Sequence, residues 1–500
     1  MLVVHVASEV APFSKTGGLA DVTGSLPEAV ASAGVEVVVV SPAYPSVRKV
    51  DVRFNVVADL STLDLCPARA GEPVALLEAR RIGVRYLFVD CPGFFGRTGL
   101  YGDADGDYPD NAERFLLLCR AAIAGVDRLS LRPDIFHCHD WQSGPLPILV
   151  RTGGLTAATI FTIHNLGYQG NFPADVFPKL SIPASYWSPE HVEYFGQVSF
   201  LKAALVHADR LTTVSPTYAR EIQEPELGFG MDPILRSRRE VLSGILNGID
   251  TNCWNPAADP HLAEPYSPDR PAGKTADRRS LDRELGLDPG GPLFVVVSRL
   301  AGQKGINLVI DEIPRLVALD ARICILGTGQ PEYHERLEEL ARSNPGRLAA
   351  VLAFNEQLAH RMYAAGDFFL MPSEYEPCGL GQMIALRYGT LPVAARTGGL
   401  ADTVFEVGEE GGNGFVFERG DARGFSAAID RALMLFARPT ELARVRERGM
   451  RTDFSWDARA RDYLELYRRF APVAPGRRGA APAARGEGER HQDFGPDSRR

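Results

Sequence analysis

The sequence predicts an α/β protein built from two facing, doubly wound domains with a ligand cleft between them. Short apolar runs alternate with segments of helical periodicity in both halves of the chain. Several of those runs end in polar clusters, where open α/β sheets place their active residues. The loop Lys15-Thr-Gly-Gly-Leu-Ala-Asp21 follows the first apolar run, and six of its letters return intact at Thr397 to Asp402.

Residues 2–7 form a compact apolar run suited to a buried parallel strand. In the loop behind it, Gly17 and Gly18 let backbone N–H groups approach an anion without interference from Cβ. A following helix adds a favourable dipole and Lys15 a mobile charge. Residues 19–33 carry apolar side chains at helical spacing, with Pro27 expected to kink or split the helix and Gly34 to end it. Residues 35–40 are the next strand, completing a β-loop-α-β unit. Runs at 85–89, 135–138, 159–163 and 210–214 continue the series, with helices at 111–126 and 216–222. Leu246-Asn-Gly-Ile-Asp250 is a turn signal between the halves. A second series has strands at 293–297, 322–326, 349–353, 367–371 and 391–395, and helices at 422–436 and 457–470. The expected division is 1–245, 246–455, a returning helix at 456–470, and a disordered tail at 471–500 rich in Pro, Ala, Gly and Arg.

Five hundred residues exceed a single core, which agrees with this division. The formal net charge of −9 argues against nucleic acid or an anionic membrane as main partner, so an anionic ligand needs local cations. Seven scattered cysteines with no C-x-x-C pair suggest neither a zinc site nor a disulfide framework. The N-terminus reads as a strand, not a signal peptide, and no apolar run reaches the roughly 20 residues that span a bilayer. A cytoplasmic protein is expected.

Four clusters could carry chemistry. In Ser298-Arg-Leu-Ala-Gly-Gln-Lys-Gly305, Arg299 offers bidentate contact to phosphate and Lys304 a point charge, a pair suited to a diphosphate; a solvated surface loop is the plainer reading. In Met371-Pro-Ser-Glu-Tyr-Glu-Pro-Cys-Gly-Leu-Gly381, Glu376 sits beside a Pro-Cys-Gly turn with free N–H groups, and Glu374 reads as a helix-start residue. Strand alternation puts His137 and His139 on one face, but no further His or Cys follows at ligand spacing, so no metal is expected. Asp140, beside Trp141, reads as a hydroxyl-binding or electrostatic residue, and His164 as a candidate facing the same cleft. Cys378 has no Cys-His-Asn arrangement around it and is read as a source of backbone N–H.

Taken together, Lys-Thr-Gly-Gly-Leu-Ala-Asp at 15–21, His-Asp-Trp at 139–141, Thr-Ile-His-Asn at 162–165 and Asn-Gly-Ile-Asp at 247–250 resemble the bacterial glycogen synthases and plant starch synthases. So do Ser-Arg-Leu…Gln-Lys-Gly at 298–305, Glu-Pro-Cys-Gly-Leu at 376–380 and Arg-Thr-Gly-Gly-Leu-Ala-Asp-Thr-Val at 396–404. The motifs run in the family's order from residue 1 to about 470.

The resemblance implies the two-Rossmann glycosyltransferase fold (GT-B) and retaining transfer of glucose from ADP-glucose to the non-reducing 4-OH of an α-1,4-glucan such as glycogen, without cofactor or metal. It implies that Lys15, Gly17 and Gly18 contact donor phosphate or sugar while Asp21 supports their loop. Asp140 and His164 would line the sugar subsite, with Asn247 in the donor-binding set. Arg299 and Lys304 would neutralise the departing ADP. Glu376 would face the donor glucose, the N–H groups of Cys378, Gly379 and Leu380 would hold hydroxyls and phosphate, and Phe354 would lie against adenine. Position 384 is Ile where animal and fungal synthases carry a second Glu, which favours the ADP-glucose branch. Phe94-Phe95 lacks the hydroxyl of the Tyr that some members carry near the acceptor. A UDP-glucose-using synthase and an inactive glucan-binding homologue remain the alternatives.

Overall fold

The computed structural model describes residues 1–63, 65 and 71–470; the expected tail at 471–500 lies outside the described residues. Two large sheets organise the chain. The first is formed by β1 (Leu2–Val6), β2 (Glu36–Pro42), β3 (Asn55–Asp59), β4 (Ala75–Arg81), β5 (Val84–Asp90), β6 (Ile135–His139), β7 (Ala158–Ile163), β8 (Arg210–Thr213) and β9 (Leu242–Gly244). Their order across the sheet is β9-β8-β7-β6-β1-β2-β5-β4-β3. From β9 to β5 all pairs are parallel; β4 and β3 add an antiparallel edge. The second sheet holds β10 (Leu293–Val297), β11 (Arg322–Leu326), β12 (Leu348–Val351), β13 (Phe368–Met371), β14 (Leu391–Arg396) and β15 (Phe415–Glu418). It is wholly parallel in the order β12-β11-β10-β13-β14-β15.

The central strands are apolar at nearly every position because helices cover both faces. The exceptions at the sequence level are informative. β3 and β4 carry charged and polar residues among apolar ones, and β9 and β15 are short, so periodicity alone did not mark them. The helix Gly18–Ser32 runs unbroken through Pro27, contrary to the expected kink or split. The cost of one missing N–H is met by packing: Val22, Leu26, Pro27 and Val30 are all buried against the sheet.

The chain passes between the two sheets at two places that touch. Ile249 N–H donates to the Phe454 carbonyl (2.8 Å), and a Cβ on Gly248 would lie 2.7 Å from the Trp456 nitrogen. The helix Trp456–Arg468 then packs against Gly18–Ser32 in the first half, and the Tyr467 hydroxyl meets His137 Nδ1 at 2.7 Å. Among the described residues, no helix is long and apolar enough to cross a membrane.

Candidate active site

A cleft of about 660 Å3 opens between the carboxyl ends of the two sheets. Lys15, Gly17, Gly18 and Asp21 line it from the first half, and Arg299, Lys304, Phe354, Glu376, Gly379 and Leu380 from the second. Residues as far apart in sequence as Lys15 and Leu380 thus share one wall-to-wall cavity.

Gly17 is extended at the start of the helix Gly18–Ser32, and nothing would meet a Cβ there, so that helix end faces open space. The loop's own anion is internal. The Glu9 carboxylate accepts from Thr16 N–H (2.5 Å), the Thr16 hydroxyl (2.9 Å) and the Tyr101 hydroxyl (2.7 Å). Burial raises the Glu9 pKa and those hydrogen bonds only partly offset it. Lys15 Nζ lies 2.7 Å from Asp21 and 3.9 Å from Glu356 in the opposite half. Burial works against its charge, but the two carboxylates outweigh it and hold the ammonium above its ordinary value.

On the second wall, Arg299 follows β10, and Lys304 follows in the one-turn helix Gly302–Lys304. Lys304 Nζ is 2.5 Å from Glu376 Oε2, which also accepts from the Ser373 hydroxyl at 3.2 Å. Arg299 donates to Gln303 (3.0 Å) and, across the cleft, to the Tyr168 hydroxyl (3.4 Å). Phe354 is 79% exposed, a flat ring offered at the cavity's edge. Glu374 does not start a helix as expected: it is exposed in the loop, and the helix begins only at Gly381.

The repeated hexapeptide serves a second purpose. At Thr397, the loop's hydroxyl (3.1 Å) and the Gly398 N–H (3.0 Å) hold Glu221, as Thr16 holds Glu9. Asp402 accepts from Thr217 N–H and hydroxyl at 2.8 and 2.7 Å. This copy therefore bridges the two halves. It also braces the Glu376 loop from behind, since Gly399 N–H donates to the Glu376 carbonyl at 3.0 Å.

Asp140, His164, Asn247 and Cys378 are not among the residues lining the cleft. Asp140 is buried at a left-handed φ of 55°, and its Oδ1 accepts from the N–H groups of His164 (2.7 Å) and Asn165 (3.4 Å). Burial outweighs those bonds and pushes its pKa up to about 7. His164 joins a chain of imidazoles that the linear spacing of His137 and His139 did not reveal. His164 Nε2 meets His139 Nδ1 at 3.0 Å, and His139 Nε2 meets His5 Nδ1 at 3.0 Å. His137 bonds Thr162 (2.6 Å) and Tyr467 (2.7 Å). Nitrogens of His5, His137 and His139 all lie within 4.8 Å of one another, so a third histidine does accompany the pair, supplied by the neighbouring strand β1. Burial depresses the pKa of each, to about 3 for His5 and His164, keeping them neutral. Asn247 is buried with its Oδ1 unpartnered, at the chain crossing behind Cys378, whose thiol burial pushes up to about 12.

Two lobes on largely parallel sheets meet over a cleft lined by both cations and carboxylates, and in architecture the chain is a GT-B glycosyltransferase, like the solved structures it resembles. Residues 2–237 match the family described as starch synthase catalytic domain, and residues 291–434 match glycosyl transferases group 1. The chain is 45% identical to a glycogen synthase of Syntrophotalea carbinolica, over 94% of this chain and 99% of that one. It is 48% identical to a glycogen synthase of Anaeromyxobacter dehalogenans, over 94% and 100%. Its structure is similar to the catalytic domain of starch synthase IV from Arabidopsis thaliana bound to ADP and acarbose, with a TM-score of 0.86, 33% identity and coverage of 94% and 99%. The chain belongs to the glycogen synthase and starch synthase family, and is a hexosyltransferase.

Proposed function

We propose that the protein transfers glucose from ADP-glucose to the non-reducing 4-OH of an α-1,4-glucan, with retention of configuration. The observation that carries this reading is the meeting of Lys15, Arg299, Lys304 and Glu376 on one cleft between the lobes. The relatives named glycogen synthase, and the ADP and acarbose in the Arabidopsis starch synthase IV structure, support the donor and acceptor assigned.

Breaking the bond between glucose and the nucleotide builds positive charge at C1 and negative charge on the leaving phosphate. In this reading Arg299 and Lys304 receive that phosphate, with Lys15 closing from the other lobe after leaving Asp21 and Glu356. Preorganised cations lower the barrier because they need not reorient as charge develops. Lys304 also holds Glu376, whose carboxylate then faces the sugar beside the N–H groups of Cys378, Gly379 and Leu380. Gly17 and Gly18 leave room for phosphate at their helix start, Asp21 steadies the loop, and Phe354 stacks on adenine. Asp140 fixes the backbone that carries His164, both set behind the cleft wall as support for the sugar subsite, and Asn247 holds the crossing beside Cys378. Front-face substitution, with the donor phosphate taking the acceptor's proton, accounts for retention. Lobes 1–245 and 246–455 would close to exclude water.

The test is incorporation of labelled glucose into a glycogen primer, with kcat/KM compared for ADP-glucose and UDP-glucose. Preference for ADP-glucose is expected. A UDP-glucose preference overturns the donor assignment, and no incorporation from either overturns the activity.

A further inference from the structure

An aromatic surface that the cleft chemistry does not use extends away from its mouth. Tyr168 is half exposed, and its hydroxyl meets Arg299 of the cleft. Tyr375, next to Glu376, packs edge-on against Phe229 with ring centroids 5.3 Å apart. Beyond it Tyr194 packs edge-on against Phe195 at 4.7 Å. The two pairs adjoin: a Cβ on Gly230 would lie 2.4 Å from the Tyr194 hydroxyl. Phe195 is 87% exposed and Phe229 38%, so each presents apolar ring surface to water.

Both phenylalanines sit at φ 49°, in the left-handed region. A bulky side chain there is a genuine outlier, at a cost of about 1–3 kcal/mol. Phe195 and Gly196 are the two central residues of a hairpin in which Tyr194 pairs with Gln197. Such a turn favours Asn-Gly, whose small polar residue tolerates this backbone. An exposed ring stands where folding alone would prefer Asn. Phe229 sits between two glycines, and its carbonyl is held by the Gln169 amide at 2.9 Å.

We propose that these rings form a ridge that binds the α-1,4-glucan chain several sugars away from its reacting end. The inference rests on the glucan-transfer reading above. Linear glucan fits because the ridge is continuous with the cleft through Tyr168 and Tyr375, and aromatic faces take the C–H faces of sugar rings while polar edges meet hydroxyls. In this proposal an acceptor of two or three sugars sits at the cleft beside Tyr168 and Tyr375, and a longer glycogen branch goes on to Phe229 and Phe195.

The experiment uses the full chain carrying Phe195→Asn and Phe229→Asn together, and Phe195→Asn alone, whose turn chemistry favours folding. Retardation in native gels containing glycogen is measured alongside initial rates with maltotriose and with glycogen. The double variant should lose retardation and show at least about a fivefold rise in KM for glycogen. Its kinetics on maltotriose should match the parent. Retained retardation with glycogen KM within about twofold of the parent overturns the proposal, as does an equal loss on maltotriose. Failure of the parent to transfer glucose from ADP-glucose, with gel retardation present and lost in the variants, would instead sink the donor reading while supporting the ridge.

Discussion

Lys304 and Glu376 illustrate how much one pair decides. Their 2.5 Å contact joins the cation proposed to receive phosphate to the carboxylate proposed to face the sugar. Lys304→Ala or Glu376→Ala should lower kcat by about a hundredfold or more while the melting temperature shows a folded protein. Near-parent turnover in both would refute the assigned roles. Asp140 gives a pH signature. Its folded pKa of about 7 stands above the ordinary 3.8, so the folded state holds a proton that the unfolded chain has released. That stabilisation is complete below about pH 3.8 and is lost as pH rises through about 7. In guanidinium unfolding the stability of Asp140→Asn, taken relative to the parent, should rise between pH 5 and pH 8. Lys15, Arg299, Lys304 and Glu376 were legible because each sits in a motif at a strand end. Glu9 and His5 were not, because the groups that make them interesting come from distant parts of the chain: Tyr101 for Glu9, His139 for His5.

The glycine hexapeptide shows what the same letters do as two elements. In both copies a glutamate accepts from the loop, Glu9 from Thr16 N–H and hydroxyl, Glu221 from the Thr397 hydroxyl and Gly398 N–H, yet one copy lines the cleft and the other ties the lobes together. Repetition announced shared backbone geometry and could not announce this division of labour, which depends on what packs behind each loop. Gly398 has φ 43°, and a Cβ there would fall 1.9 Å from the Glu376 carbonyl. Gly398→Ala should therefore destabilise the protein by about 1–3 kcal/mol and depress kcat by displacing Glu376, read by thermal unfolding and steady-state rates. Strand recognition followed the same logic. Buried parallel strands such as β10 stood out as apolar runs, whereas β3 and β4 face water in part and mix charge into the pattern.

At the scale of the molecule, two sheets were expected from β/α alternation, whereas their strand order and their meeting required the fold. Four buried imidazoles, of His5, His137, His139 and His164, tie β1, β6 and β7 to the returning helix through Tyr467. Their depressed pKa values mean the unfolded chain takes up protons that the folded protein refuses. Stability is full above the ordinary 6.5 and is lost as pH falls towards about 3. Carboxyls held above their ordinary range, Glu9, Asp21 and Asp140 among them, pull the other way, so the imidazole contribution is read by difference: the melting temperature of His5→Asn, relative to the parent's, should rise from pH 7 to pH 5. Calorimetry on both proteins checks it; parallel profiles would contradict the burial of that ring. The two chain crossings carry a last consequence. Ile249 and Phe454 run side by side and are hydrogen-bonded, so any relative movement of the lobes has to turn about this pair of crossings while the Glu221 and Asp402 contacts give way or follow. If the lobes close as proposed, shutting out solvent and freeing the lengthened polymer would be opposite swings of one door, and each added sugar would oblige the protein to loosen its hold on the spent nucleotide.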